Sequence, residues 1–118
     1  MVVAENRDRR RMPRIPLVHS LPARARGAID VQLLDLSLGG VRVGHCGQLP
    51  PGSSCALELP PSLNSLVLTA DVARSAVVGV KQYAQGERHL RYESGLAFTE
   101  LTADQATTLT CILEQLTE

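Results

Sequence analysis

Ile29, Val31 and Leu33 alternate with Asp30, Gln32 and Leu34, the period-two spacing of a half-buried strand. The alternation breaks at Asp35-Leu36-Ser37-Leu38-Gly39-Gly40 and resumes at Val41 and Val43, with Arg42 and Gly44 on the opposite face. This predicts strand, turn, strand, with a polar corner. Upstream, a strand is expected from about Leu17 to Arg26, interrupted or bounded at Pro22, while Pro13 and Pro16 favour extended backbone around Arg14 and Ile15. Downstream, Cys55 to Leu59, Leu66 to Val80 and Leu90 to Thr99 predict three further strands. They are separated by breakers at Gln48–Ser54, Pro60–Asn64 and Gln85-Gly86-Glu87. The valines of the Leu66–Val80 stretch are expected in the core.

The period then changes. Thr102 followed three residues later by Gln105 is the pattern of a capping box. Ala106, Leu109, Ile112, Leu113 and Leu116 repeat at helical spacing, predicting a helix over about 103–117 with one apolar stripe. The stripe suits packing on the chain's own domain; a partner protein or a second copy is the other reading. About six short strands followed by one helix predict a mainly β fold, a small antiparallel barrel or sandwich.

Composition narrows the class. A chain of 118 residues suits one domain, and 44% hydrophobic with 20% charged residues favours a folded protein. There is no Trp, one Phe and two Tyr, so Leu, Val, Ala and Ile must fill the core. The formal net charge of zero conceals a split. Residues 1–26 hold seven arginines against Glu5 and Asp8, whereas the remainder holds five cations and ten acids. The basic end would attract an anion; the body would not.

Catalytic and metal chemistry find little support. Cys46, Cys55 and Cys111 have no C-x-x-C spacing and read as reduced, buried thiols. His19, His45 and His89 lie too far apart for a ligand set. No histidine follows Asp35 and Ser37 in a pattern that would make Ser37 a nucleophile, and no Gly-rich phosphate loop occurs. Neither an enzyme nor a cofactor is expected. No apolar run reaches the ~18–20 residues of a membrane span and the first residues lack a signal-peptide h-region, so the cytoplasm is the default address.

Two polar motifs remain. Arg9-Arg10-Arg11-Met12-Pro13-Arg14 contains Arg-x-x-x-Arg as Arg10 and Arg14, and Asp35-x-Ser37-x-x-Gly40 falls on the predicted corner. In this order, with a later Gly95-Leu96-Ala97-Phe98, they resemble the PilZ domain, the bacterial receptor module for cyclic di-GMP, over roughly residues 7–116. The resemblance implies a six-stranded antiparallel barrel (16–118) with a C-terminal helix, and a flexible arginine-rich arm (1–15) that folds over the ligand. It implies that Arg10 and Arg14 contact guanine edges and phosphates, that Asp35 and Ser37 hold a guanine, and that Gly39 and Gly40 form the turn. Arg9 would add contacts and goes, in the family, with a stacked pair of ligands. The chemistry suits the ligand: guanidinium pairs bidentately with phosphate or guanine and also stacks, and a mobile arm converts binding into a changed surface.

The leading expectation is thus a stand-alone cyclic di-GMP receptor that signals to an unidentified partner protein. The alternatives are a ligand-independent interaction module of the same fold, for example in pilus or flagellar function, and a small nucleic-acid-binding barrel. The few scattered aromatics oppose the last, since single-strand binders present stacking rings, and no DNA partner is expected.

Overall fold

Among the described residues, six strands pair in the order β1-β2-β3-β6-β5-β4 and close on themselves as an antiparallel barrel. They are β1 (Ile15–Ala25), β2 (Ile29–Leu36), β3 (Gly40–His45), β4 (Ser54–Glu58), β5 (Val67–Gln82) and β6 (Arg88–Phe98), followed by helix α1 (Ala103–Leu116). The computed structural model describes residues 13–25 and 29–117. Arg9, Arg10 and most of the expected arm therefore lie outside the described residues.

The core is aliphatic, as the composition requires. Leu33, Leu36, Val41, Val43, Leu57, Leu68 and Ala70 are fully buried, and Phe98 is the one large ring among them. Each strand contributes every second residue, so the barrel interior fills without large aromatics. α1 starts at a complete capping box: the Thr102 hydroxyl accepts from the Gln105 amide at 3.1 Å while the Gln105 side chain accepts from the Thr102 amide at 2.9 Å. Such a cap contributes about 1 kcal/mol. Leu109 and Ile112 are buried, and Leu113 and Leu116 pack against the core, so the apolar stripe of the helix is spent on its own barrel.

Three one-residue register shifts matter more than strand boundaries. Leu33 pairs with Val43 and Asp35 with Arg42, leaving Leu34 as an extra residue in β2. In β5, Val72 pairs with Leu96 and Arg74 with Gly95, leaving Ala73 extra; a second shift lies between Val77 and Gly79. Each bulge reverses which face the following residues occupy.

Gly40 is required by packing. A Cβ there would lie 2.2 Å from the Leu96 carbonyl oxygen, because β3 starts hard against β6. Its φ is not positive, so close approach rather than turn geometry excludes a side chain. Positive φ occurs at Gly86, where Tyr83 and Glu87 close the β5–β6 turn with an N–H···O bond of 2.8 Å.

Two expectations are corrected. Val77, Val78 and Val80 are about half exposed because β5 outruns the barrel and only its first half is covered, and Val67 is half exposed because it lies on the outward face of that covered half. Of the cysteines only Cys55 is buried; Cys46 is intermediate and Cys111 lies on the outer side of α1. His45 is buried at the β3–β6 seam, where Nδ1 meets the Gly47 carbonyl at 2.5 Å and Nε2 meets Ser94 Oγ at 2.6 Å. Nδ1–H donates to the Gly47 carbonyl, which can only accept, and Ser94 Oγ also bonds Ser75 Oγ at 2.9 Å, extending the seam to β5.

Replacing Gly40 with Ala should cost about 3 kcal/mol in urea unfolding, since the clash is with backbone; a change under about 0.5 kcal/mol would show that the β3–β6 seam yields freely. Burial pushes the His45 pKa down, against the smaller opposing effect of the Gly47 bond. The unfolded chain then takes up this proton first. Stability should fall as pH drops below the ordinary histidine value of about 6.5, with a slope of at most about 1.4 kcal/mol per pH unit. That component should vanish in His45→Asn; an unchanged pH profile in the variant would contradict it.

Candidate functional site

The bulges assemble a row of side chains across four strands. Asp35 on β2 is the register partner of Arg42 on β3, Arg42 of Gly95 on β6, and Gly95 of Arg74 on β5. Pro16 on β1, two residues after Arg14, completes the row beside Asp35. Register partners share a face. Val41, Val43, Leu96 and Val72, the neighbours of these residues along their strands, point into the core, so the row lies on the outside of the barrel.

Asp35 is clamped between two guanidiniums. Arg14 Nη1 donates to Oδ1 at 2.9 Å and Arg42 Nε donates to Oδ2 at 2.9 Å. Arg42 also donates through Nη1 to Glu93 Oε1 at 2.6 Å. These bonds hold Arg42 firmly cationic: the Asp35 bond raises its pKa most, desolvation opposes, and Glu93 adds to the rise. The Arg14 side chain is 55% exposed and that of Asp35 only 11%. Arg14 is therefore the partner that another group can displace, and Arg42 the anchor.

The corner that follows is pinned by its own serine. Ser37 Oγ accepts from the Gly39 and Gly40 amides, each at 3.2 Å, and Ser37 N–H donates to the Gly40 carbonyl at 2.9 Å. The Phe98 amide donates to the Gly39 carbonyl at 3.0 Å, tying the corner to β6. Ser37 is buried, so its hydroxyl is committed to shaping the turn.

These residues line one open groove of about 850 Å³, bounded by Arg14, Asp35, Ser37 and Gly39 on one side and Arg74, Gly95 and Ala97 on the other, with Arg42 between them. Four of the sequence-predicted residues meet here: Arg14, Asp35, Ser37 and Gly39, with Gly40 behind them in the β3–β6 seam. Arg9 and Arg10 belong to the undescribed residues. A second groove of about 950 Å³, near Gln32, His45, Lys81 and Arg91, holds none of the motif residues.

Arg42, Arg74 and Glu93 were not singled out in the sequence. Arg74 lies exposed across Gly95: a Cβ at Gly95 would sit 3.3 Å from its Nε and 3.4 Å from its Cγ. Among the described residues it has no ion-pair partner, leaving its guanidinium open to the groove. The one available signal was the glycine of Gly95-Leu96-Ala97-Phe98, read there as a strand feature rather than as space for an arginine. Among the described residues no group of His, Cys, Asp and Glu suits a metal, and no helix is long and apolar enough to cross a membrane.

Comparison with known proteins bears on the fold and the family. No curated protein matches the chain at a significant level. Among solved structures, the PilZ domain of YcgR from Escherichia coli with c-di-GMP superposes with a TM-score of 0.71 at 21% identity, covering 92% of each chain. The K. pneumonia MrkH–c-di-GMP complex gives 0.69 at 19% identity over 91% of this chain and 52% of that one. The Bacillus subtilis inhibitor of motility (MotI/DgrA) gives 0.60 at 22% identity over 93% of this chain and 52% of that one. The chain thus spans about half the length of the latter two. At these identities the likeness speaks for the fold. The PilZ domain family model itself matches residues 8–115, nearly the whole sequence, and the chain belongs to the PilZ domain family.

Proposed function

We propose that this protein is a receptor for cyclic di-GMP, bound in the groove along the Asp35–Arg42–Gly95–Arg74 row. The observation that carries the reading is one carboxylate held between the guanidiniums of Arg14 and Arg42, with a third guanidinium, Arg74, farther along the same groove; Arg14 is half-exposed and Arg74 is unpartnered among the described residues. Membership of the PilZ family and the c-di-GMP complexes of YcgR and MrkH support it. An anionic dinucleotide needs cations for two phosphates and acceptors for guanine N–H groups, and Asp35 is the buried acceptor here.

Binding is then an exchange of partners. A guanine edge reaching Asp35 competes with Arg14, while Arg42 keeps the carboxylate in place. Arg14, released, contacts a base or phosphate together with Arg9 and Arg10. Because Arg14 sits immediately before β1, its change of partner carries residues 1–15, the proposed arm, into a new position. A downstream protein would read that surface. No group-transfer chemistry is needed; the output is a conformational equilibrium biased by ligand.

Isothermal titration with cyclic di-GMP, with GTP as control, tests this. Arg10→Ala, Arg14→Ala, Asp35→Ala and Arg74→Ala should each weaken binding roughly ten- to a hundredfold, the loss of a charge-assisted contact worth about 1.5–3 kcal/mol. Arg24→Ala should bind normally, since among the described residues Arg24 meets only Asp30, at 3.8 Å on the surface. Unchanged affinity in all four groove and arm variants would refute the site, and absence of heat from folded protein would favour a ligand-independent interaction module. Affinity should also fall steadily as salt rises from about 50 to 500 mM, because the recognition is between guanidiniums and phosphates; a salt-independent constant would contradict it.

A further inference from the structure

β5 and β6 run well beyond the barrel. β4 pairs with β5 only over Val67–Asp71, and β3 with β6 only over Tyr92–Ala97, so residues 78–91 leave the body as a two-stranded ribbon rooted at the Val77–Tyr92 pair. The molecule measures 52 × 29 × 23 Å as a result.

The ribbon has two unlike faces. Along β6, Phe98, Leu96 and Ser94 point into the barrel and are buried, and Tyr92 and Leu90 continue the same face at the same two-residue spacing. Val77 is the register partner of Tyr92 and Val80 of Leu90, so four apolar or aromatic side chains share this face. Val77, Val80 and Leu90 are 54%, 55% and 48% exposed. Tyr92 anchors the root of the face by stacking on His45 with ring centroids 5.5 Å apart. Arg91 and Lys81, with their partners Gly79 and His89, occupy the reverse face. Arg88 and Gln82 close the apolar face with a polar rim at the tip.

A two-stranded ribbon is marginal in water unless its apolar face is covered, and a contiguous exposed apolar face marks an interaction surface. The placement of charge selects the occupant. An anionic membrane would draw Arg91 and Lys81 toward it and so turn the valines away, and both open strand edges would carry unpaired backbone groups into lipid. An acidic partner would likewise choose the reverse face. A second copy of this chain meets neither obstacle. Two ribbons stacked by their apolar faces bury Val77, Val80 and Leu90 against their equivalents and leave Lys81 and Arg91 of both copies on the outside, directed apart, with Arg88 at the solvated rim of the contact. The bulge at Val78 disrupts the β5 edge, which discourages strand addition along an open edge and favours a closed, face-to-face pair.

We propose that the chain forms a twofold dimer by packing the apolar faces of its β5–β6 ribbons against each other. Three half-exposed side chains per copy make the contact smaller than the ~1,000 Å² of standard specific interfaces, so the dimer is a weak, transient one that fills only at high protein concentration.

Sedimentation velocity of the full chain from about 1 to about 500 μM tests this. The wild-type mass should rise with concentration from one chain to two and stop there. Val80→Lys combined with Leu90→Lys should stay at one chain throughout, with an unchanged circular dichroism spectrum because both positions are half exposed. Lys81→Glu combined with Arg91→Glu, on the reverse face, should dimerise as the wild type does. A wild-type monomer at every concentration, a dimer that survives the Val80/Leu90 changes, or one that is lost in the Lys81/Arg91 variant would overturn the proposal. So would a chain that stays monomeric yet pellets with phosphatidylglycerol vesicles, which would give the face to a membrane.

Discussion

Asp35 reaches the outside of the barrel because β2 carries one residue more than its partner strand. A strict period of two continued from Leu33 would place Asp35 in the core, where an ionised carboxylate would be costly. The extra residue at Leu34 reverses the faces, so Leu36 takes the core position and Asp35 stands opposite Arg42. The same device at Ala73 turns Arg74 outward beside Gly95. Without both bulges there would be no row of carboxylate and guanidiniums across β2, β3, β6 and β5. Bulges bend strands and re-aim side chains, and here two of them build one polar groove on an aliphatic barrel.

The groove also depends on what is missing. Gly40 lets β3 start against the Leu96 carbonyl, bringing the Ser37-pinned corner to the groove wall. Gly95 leaves the space in which Arg74 lies across the sheet. Both glycines serve close approach. Ser37 shows a related economy: its hydroxyl is taken up by the Gly39 and Gly40 amides, so it supports the site by fixing backbone more than by offering a free donor. Asp35 and the arginines carry the electrostatics, and the Ser-Gly corner sets the geometry in which they act.

Much of the fold was legible because the apolar pattern is strong. Alternation located six strands, and Thr102 with Gln105 located the helix start to the residue. The polar corner at 35–40 was legible from its own residues, and its likeness to a family motif tied it to Arg14, 21 positions away. What escaped the sequence reading depended on register. Arg42 looked like an ordinary outward residue of β3, and nothing local shows that a shift at Leu34 sets it against Asp35. Arg74 was invisible for the same reason, since its place depends on the Ala73 shift. The valines beyond residue 76 were misread as core because β propensity reports strand formation and not whether a neighbouring strand covers it. Periodicity identifies elements; bulges and strand overhang decide which side chains meet.

The most direct test of this account is an amide chemical-shift titration of isotopically labelled protein with cyclic di-GMP. The central claim is that ligand sits on the row built by the two bulges. It predicts the largest shifts at 35–42, 73–74 and 95–97, with the amides of the other groove, around 45–47 and 80–83, nearly unmoved. Shifts concentrated at that second groove, or none anywhere at saturating ligand, would contradict it.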